Sequence, residues 1–126
     1  MDYNFIKFEN LHQRTEDRIT VTGNSSIGFP TKFYNDNGIK DFKYVVVFYD
    51  KEKNAIGINF TNSEEEKSKF TIIRSNKGYG GQIVARSFFK SNNIDPKKYK
   101  GRYIWEKTQI ESVGEIFVIL LKERVG

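Results

Sequence analysis

The residues of this 126-residue chain that could do chemistry are a close pair of carboxylates and a glycine-rich loop set among cations. Asp50 and Glu52 stand two positions apart in "DKEKN", with Lys53 beside them. Such a set suits one half of a two-metal nuclease site, which needs carboxylates to share the ions. No second acidic strand accompanies them. Residues 50–54 also lack the remaining alternate oxygen ligands and the terminal Glu of a calcium loop. Glu64, Glu65 and Glu66 sit in a polar stretch where charge serves solubility. The single histidine, His12, lies in an N-terminal arm and reads as a surface or cap residue, since a triad or a His metal site is hard to build around it. With no Cys in the chain, disulfides, thiolate chemistry, Cys-ligated zinc and iron–sulfur sites are excluded. The expectation is a non-enzyme with no catalytic residues, no metal and no cofactor.

The glycine loop opens residues 75–99, "SNKGYGGQIVARSFFKSNNIDPKKY". Its "GYGG" is not a phosphate-binding P-loop, because no Gly-Lys-Ser/Thr follows. Nor is it a dinucleotide fingerprint, because the spacing differs and no acid follows about 20 positions on. Two readings remain. Glycines let backbone N–H groups face an anion, with a following helix offering its positive end. Equally, a sharp strand-to-helix turn needs glycine for its positive φ. Lys77 before the loop and Arg86 in the helix expected after it would flank one spot. Tyr79, at the loop tip, is the aromatic expected to be exposed, where it could stack on a base.

Charge is unevenly distributed. Residues 1–62 hold 8 Lys/Arg against 8 Asp/Glu, and residues 63–126 hold 13 against 8. Within residues 70–102 lie Arg74, Lys77, Arg86, Lys90, Lys97, Lys98, Lys100 and Arg102, with Asp95 the one acid. A block of this kind is either a field for an anionic partner or a solvated face on a lysine-rich protein. "DPKKYKGR", residues 95–102, is a turn rich in donors suited to phosphate.

These residues need a scaffold. The length fits a single domain spanning residues 1–126. The longest apolar run, "IFVILL", is far short of the roughly 20 residues of a membrane span. The opening "MDYNFIKFEN" lacks a basic region followed by an apolar one, so no signal peptide and a cytoplasmic location are expected. Residues 18–22 alternate as a half-buried strand does, and residues 27–29 fit another short strand. Pro30 starts a helix of about two turns that Gly38 stops. "KYVVVFY" and "AIGINF" flank a polar turn and read as a hairpin. The plan then repeats: a strand at 70–74, a glycine turn at 76–81 and a helix over 82–92 with Ile83, Val84, Ser87 and Phe88 inward. A strand at 103–107, a polar connection at 108–112 and a last strand at 113–122 complete it. Ile27, Phe33 and Ile39 run parallel to Ile83, Phe89 and Ile94. The pattern predicts a mainly β chain with short helices, a small pseudo-symmetric closed barrel of two strand–helix–hairpin repeats. These span about residues 15–62 and 70–123, after an arm at 1–14.

Residues 18–60, "RITVTGNSSIGFPTKFYNDNGIKDFKYVVVFYDKEKNAIGINF", resemble the AbrB/MraZ-type swapped-hairpin unit. Ile27, Phe29, Pro30, Phe33, Gly38, Ile39, Val45, Asp50, Ile56 and Ile58 occupy its characteristic places. Residues 70–122 resemble a divergent second copy, with Ala85 or Arg86 where the proline would stand. The resemblance implies two units interlocked into a barrel that binds DNA through basic residues on one face. Lys32, Lys40 and Lys43 are the nearest basic residues of the first copy, so the second copy would dominate binding.

The function expected from the sequence is therefore a DNA-binding transcriptional regulator or antitoxin-like module. Arg74, Lys77, Arg86, Lys90, Lys97, Lys98, Lys100 and Arg102 would contact phosphate, and Tyr79 a base or sugar. The alternative is a protein-interaction module, such as a phage or mobile-element protein engaging a host enzyme, that docks by strand addition. A metal-dependent nuclease using Asp50 and Glu52 is a third reading. The expected partners are DNA or a protein, with no membrane, and the chain a monomer or homodimer.

Overall fold

The computed structural model describes residues 17–75 and 80–125. His12, Lys77, Tyr79 and the arm at 1–14 lie outside the described residues. The chain runs β1 (Ile19–Val21), β2 (Ser26–Pro30), α1 (Thr31–Asp36), a 3-10 turn (Ile39–Asp41), β3 (Tyr44–Asp50) and β4 (Ala55–Thr61). It continues as β5 (Lys69–Thr71), β6 (Ile73–Arg74), β7 (Gly80–Val84), α2 (Arg86–Ser91), α3 (Pro96–Tyr99), β8 (Gly101–Ile110) and β9 (Gly114–Arg124).

All nine strands form one antiparallel sheet in the order β5-β3-β4-β9-β8-β1-β2-β7-β6. Its two end strands are successive parts of one segment. β5 pairs with β3 through Val45↔Phe70, and β6 pairs with β7 through Ile73↔Gln82. Ile72 between them donates its N–H to the Lys43 carbonyl at 3.0 Å. The sheet thus curls round until its ends share one segment, giving a nearly closed barrel with little exposed strand edge.

Alternation along the strands decides what lies inside. Ile19, Ile27, Ile56, Ile58, Ile83, Tyr103 and Ile119 are fully buried, and their strand neighbours face outward. The core centres on Phe33 of α1. Its ring lies 5.1 Å from Phe117, 5.2 Å from Trp105 and 5.9 Å from Phe29. α1 ends as expected, with Gly38 in the left-handed region at φ 63° after the cap residue Asn37. Ile27, Phe33 and Ile39 are all buried, and so are Ile83, Phe89 and Ile94.

The expected helix over 82–92 is corrected in its first half. Residues 80–84 form β7, pairing with β2 through Ile27↔Ile83 and Phe29↔Gly81. Ile83 points into the barrel, Val84 out of it, and the helix begins only at Arg86. The buried helical pair is Phe88 and Phe89, whereas Ser87 is exposed. Residues 108–110, expected in a polar connection, extend β8 because β9 pairs with them as far as Ile110↔Gly114.

Gly80 fixes the mouth of the glycine loop. Its φ is +105°, and a Cβ there would lie 2.4 Å from the Phe29 carbonyl oxygen, which is held in the β2 ladder. A left-handed backbone and a backbone clash act together. Gly80→Ala is expected to destabilise the fold by about 2–3 kcal/mol. In urea titration the midpoint should fall with the slope unchanged.

Candidate nucleic-acid interface

The cations of the second half gather where α2, α3 and the start of β8 meet the β1–β2 turn. The Ala85 N–H donates to the Ser25 carbonyl at 2.8 Å, which brings the start of α2, with Arg86, to that turn. The Lys97 and Lys100 stems lie over the same turn, Lys97 Cγ 3.6 Å and Lys100 Cδ 4.0 Å from where a Cβ on Gly23 would stand. Long aliphatic stems lying on the surface hold their charged heads in water.

This ridge is firmly built. The Asp95 carboxylate caps α3 by accepting the Lys97 N–H at 3.0 Å, and Pro96 takes the first helical position. The Tyr103 hydroxyl donates to the Tyr99 carbonyl from below. Burial pushes the Tyr103 hydroxyl above its usual pKa, opposed by the nearby Arg124 cation. Asn54 donates to the Tyr99 hydroxyl at 3.3 Å. The Arg124 guanidinium donates to the Lys98 and Lys100 carbonyls, each at 3.1 Å. Lys97, Lys98 and Lys100 are exposed on this fixed backbone, with the Lys98 ammonium 5.3 Å from the Tyr99 ring centre.

Pairing distinguishes the ridge cations from others on the surface, such as Lys107, which meets Glu115 at 3.8 Å. Among the described residues, the side chains of Arg86, Lys90, Lys97, Lys98 and Lys100 enter no ion pair. In the first half, Lys32 meets Asp36 at 2.6 Å and Lys43 meets Glu64 at 3.9 Å. The hydrogen bond that the Lys32 ammonium donates to Asp36 holds it above its usual pKa. Exposed pairs add little stability, but they do cancel local charge.

Arg102, the second residue of β8, borders the ridge on the barrel wall. It begins a transverse row across five strands: Arg102↔Thr20, Thr20↔Gly28, Gly28↔Gln82 and Gln82↔Ile73. Partners in register share a face, and the adjacent Ile19, Ile27 and Ile83 point inward, so this row faces out. Gly28 makes a dip in it, the floor of a groove of about 310 Å³ that Thr20, Gln82 and Ile73 also line.

Arg74 belongs to neither. Its guanidinium donates to the Tyr34 hydroxyl and to the carbonyls of Ile39 and Phe42, and lies against the Tyr34 ring. It ties β6 to α1 and the 3-10 turn. Of the glycine stretch, Gly80 and Gly81 begin β7, and the six-residue helix starts only at Arg86.

Arg124 is the residue the sequence reading missed. Its register with Tyr103, 21 positions earlier, brings it to the ridge. The apolar run of residues 116–121 gave no signal for it, since Lys122, Glu123 and Arg124 follow that run as an ordinary charged end. Asp50, the head of the carboxylate pair, accepts the Lys53 N–H at 3.1 Å and shapes the β3–β4 turn. Among the described residues, no group of three or more His, Cys, Asp or Glu is placed to hold a metal, and no helix is long and apolar enough to cross a membrane. No family model matches the chain, and neither does any curated protein or solved structure.

Proposed function

We propose that this protein is a non-catalytic DNA-binding module, a transcriptional regulator or antitoxin-like protein, that engages phosphates through the α2–α3 ridge. The observation that carries the reading is the set of cations Arg86, Lys90, Lys97, Lys98 and Lys100 on and beside α2 and α3, which enter no ion pair among the described residues. Arg124 adds charge at the same place, and the row from Arg102 to Gln82 offers hydroxyl and amide groups alongside it. Phosphate contacts position a duplex, and side-chain donors on the strands read or orient it.

The proposal extends to the AbrB/MraZ-type resemblance. It is supported by the element order, in which two strands in the first half and three in the second lead into short helices and then a hairpin. The pairings support it too. β2 pairs with β7 and β4 with β9, each with its counterpart, while β1 joins β8 as β5 joins β3. In this reading two unit-like halves share one barrel, and only the second carries the binding charge.

Fluorescence-anisotropy titration tests it, with random duplex and single-stranded DNA at several salt concentrations. Engagement of the five ridge cations predicts a slope of log K against log salt of about −4.5 on duplex. No binding at about 50 mM salt would overturn the reading and favour the protein-interaction module. Mg²⁺-dependent cleavage of the DNA that disappears in Asp50→Ala would favour the nuclease.

A further inference from the structure

The outward row through β1, β2, β7 and β6 is built differently from the ridge beside it. The ridge repeats one chemistry, a cation, which suits phosphates that are all alike. Along the row each position differs: the Thr20 hydroxyl, no side chain at Gly28, the Gln82 amide and the aliphatic Ile73, in register through Thr20↔Gly28, Gly28↔Gln82 and Gln82↔Ile73. The two polar groups flank the gap. A Cβ on Gly28 would lie 2.3 Å from Thr20 Oγ1, so that hydroxyl leans into the space over the glycine. Gln82 is exposed on the other side of it. Gly28 thus leaves open the groove of about 310 Å³, whose described lining residues include no acid. Among the described residues the side chains of Thr20 and Gln82 take no hydrogen bond, so both keep their donors and acceptors for a ligand.

Resting on the DNA-binding reading, we propose that Gln82 and Thr20 select an A·T base pair through the major groove of duplex DNA, and so set a sequence preference that the ridge lacks. The Gln82 amide offers a donor and an acceptor side by side, which adenine N7 and N6 complement. The paired thymine presents O4 next to them, an acceptor for the Thr20 hydroxyl. Thr20 and Gln82 stand two strand spacings apart, about 9.6 Å between backbones, with Gly28 between them, so their side chains approach one base pair from its two halves. A side chain at residue 28 would fill that approach. Guanine offers two acceptors, N7 and O6, so an amide placed over it leaves its carbonyl oxygen unpaired. The ridge lies where phosphates bordering the same groove would pass. Gly23, under the Lys97 and Lys100 stems, is three residues from Thr20, about 10 Å at strand rise, and the major groove is about 12 Å wide. Salt-sensitive affinity then belongs to the ridge and base preference to the row.

Selection of bound duplexes from a randomised library by the full chain, at about 0.15 M salt and with the bound pool sequenced, tests the proposal. The wild type is expected to enrich A·T over G·C at one position of its site about tenfold. Gln82→Ala should erase that preference and weaken binding to the selected duplex about tenfold, with the salt slope still about −4.5 because no cation is lost. Gln82→Glu, which can accept from cytosine N4, should move the preference at that position to G·C. Thr20→Val keeps the shape of the side chain without its hydroxyl and should lower the enrichment to about threefold. A wild type that retains no duplex at about 50 mM salt overturns the DNA-binding reading and this proposal with it. Binding with the expected salt slope but no base preference, or with a preference that survives Gln82→Ala, overturns the assignment of Gln82 and Thr20 alone.

Discussion

Reversing Lys97 and Lys98 together to glutamate is expected to weaken binding to a random duplex about 30-fold at 0.15 M salt, and to flatten the salt slope by about 1.8. Each phosphate contact contributes about −0.9 to that slope, and removing two leaves the chain with less counterion release to gain. The fold should not notice. Both side chains are exposed, and the α3 cap uses the Lys97 backbone N–H, which any residue but proline retains. Loss of the Lys98–Tyr99 contact subtracts at most about 0.5–1 kcal/mol. The comparison that gives the result meaning is Lys32→Glu with Lys40→Glu in the first half. Lys32 is already offset by Asp36, so affinity should change by less than about twofold there. Equal losses in the two variants would show that net charge alone drives binding, and the ridge would lose its special role.

That asymmetry has a structural source. Both halves present short helices before a hairpin, at corresponding points of the element order. In the first half this region carries Asp36 and Asp41 beside Lys32 and Lys40. In the second, Arg86, Lys90, Lys97, Lys98 and Lys100 face a single acid, Asp95, and its carboxylate is committed to capping α3. One barrel therefore offers one basic surface, and two surfaces per particle require two chains.

The β3–β4 hairpin and α1 were legible because their signals are local. A dense β-branched and aromatic run on each side of "DKEKN" allows little else. Pro30 and Gly38 bracket α1 through their own φ preferences. β7 was not legible, since adjacent Ile83 and Val84 before Phe88 imitate a helical face. What makes residues 80–84 a strand is β2, 54 residues away at the Gly28↔Gln82 pair, where Ile27 and Ile83 complete one inward layer. Tertiary pairing overrides so short a pattern. α3 was readable in principle, because Asp95-Pro96 is a cap followed by a favoured first helical residue. For the site, the contiguous cations of residues 86–100 could be found by counting charge. Counting could not separate Arg74 from them. Its partners Tyr34, Ile39 and Phe42 lie more than 30 positions away, and only the fold brings three acceptors to one guanidinium. The Arg102–Thr20–Gly28–Gln82 row was equally invisible, being a product of register across four strands.

Phe33→Ala is expected to cost about 3–5 kcal/mol, enough to unfold much of the population of a domain whose total stability is of order 5–15 kcal/mol. Phe33 is fully buried, although it lies on a helix of only six residues. A helix that short has almost no stability of its own, so the ring holds α1 on the barrel rather than the reverse. Its ring neighbours come from four separate strands: Phe29 on β2, Phe60 on β4, Trp105 on β8 and Phe117 on β9. None of these can close the void without leaving its own strand register, so the cavity persists and its full penalty is felt. Loss of the edge-on geometry with Trp105 and Phe117 adds to the burial term. Phe33→Leu keeps most of the volume and should cost distinctly less. Chemical denaturation followed by Trp105 fluorescence reads both, because that indole packs against the substituted ring. If Phe33→Ala left the midpoint unchanged, α1 would have to be dispensable to the barrel, and the position of Phe33 at the centre of the core would be wrong.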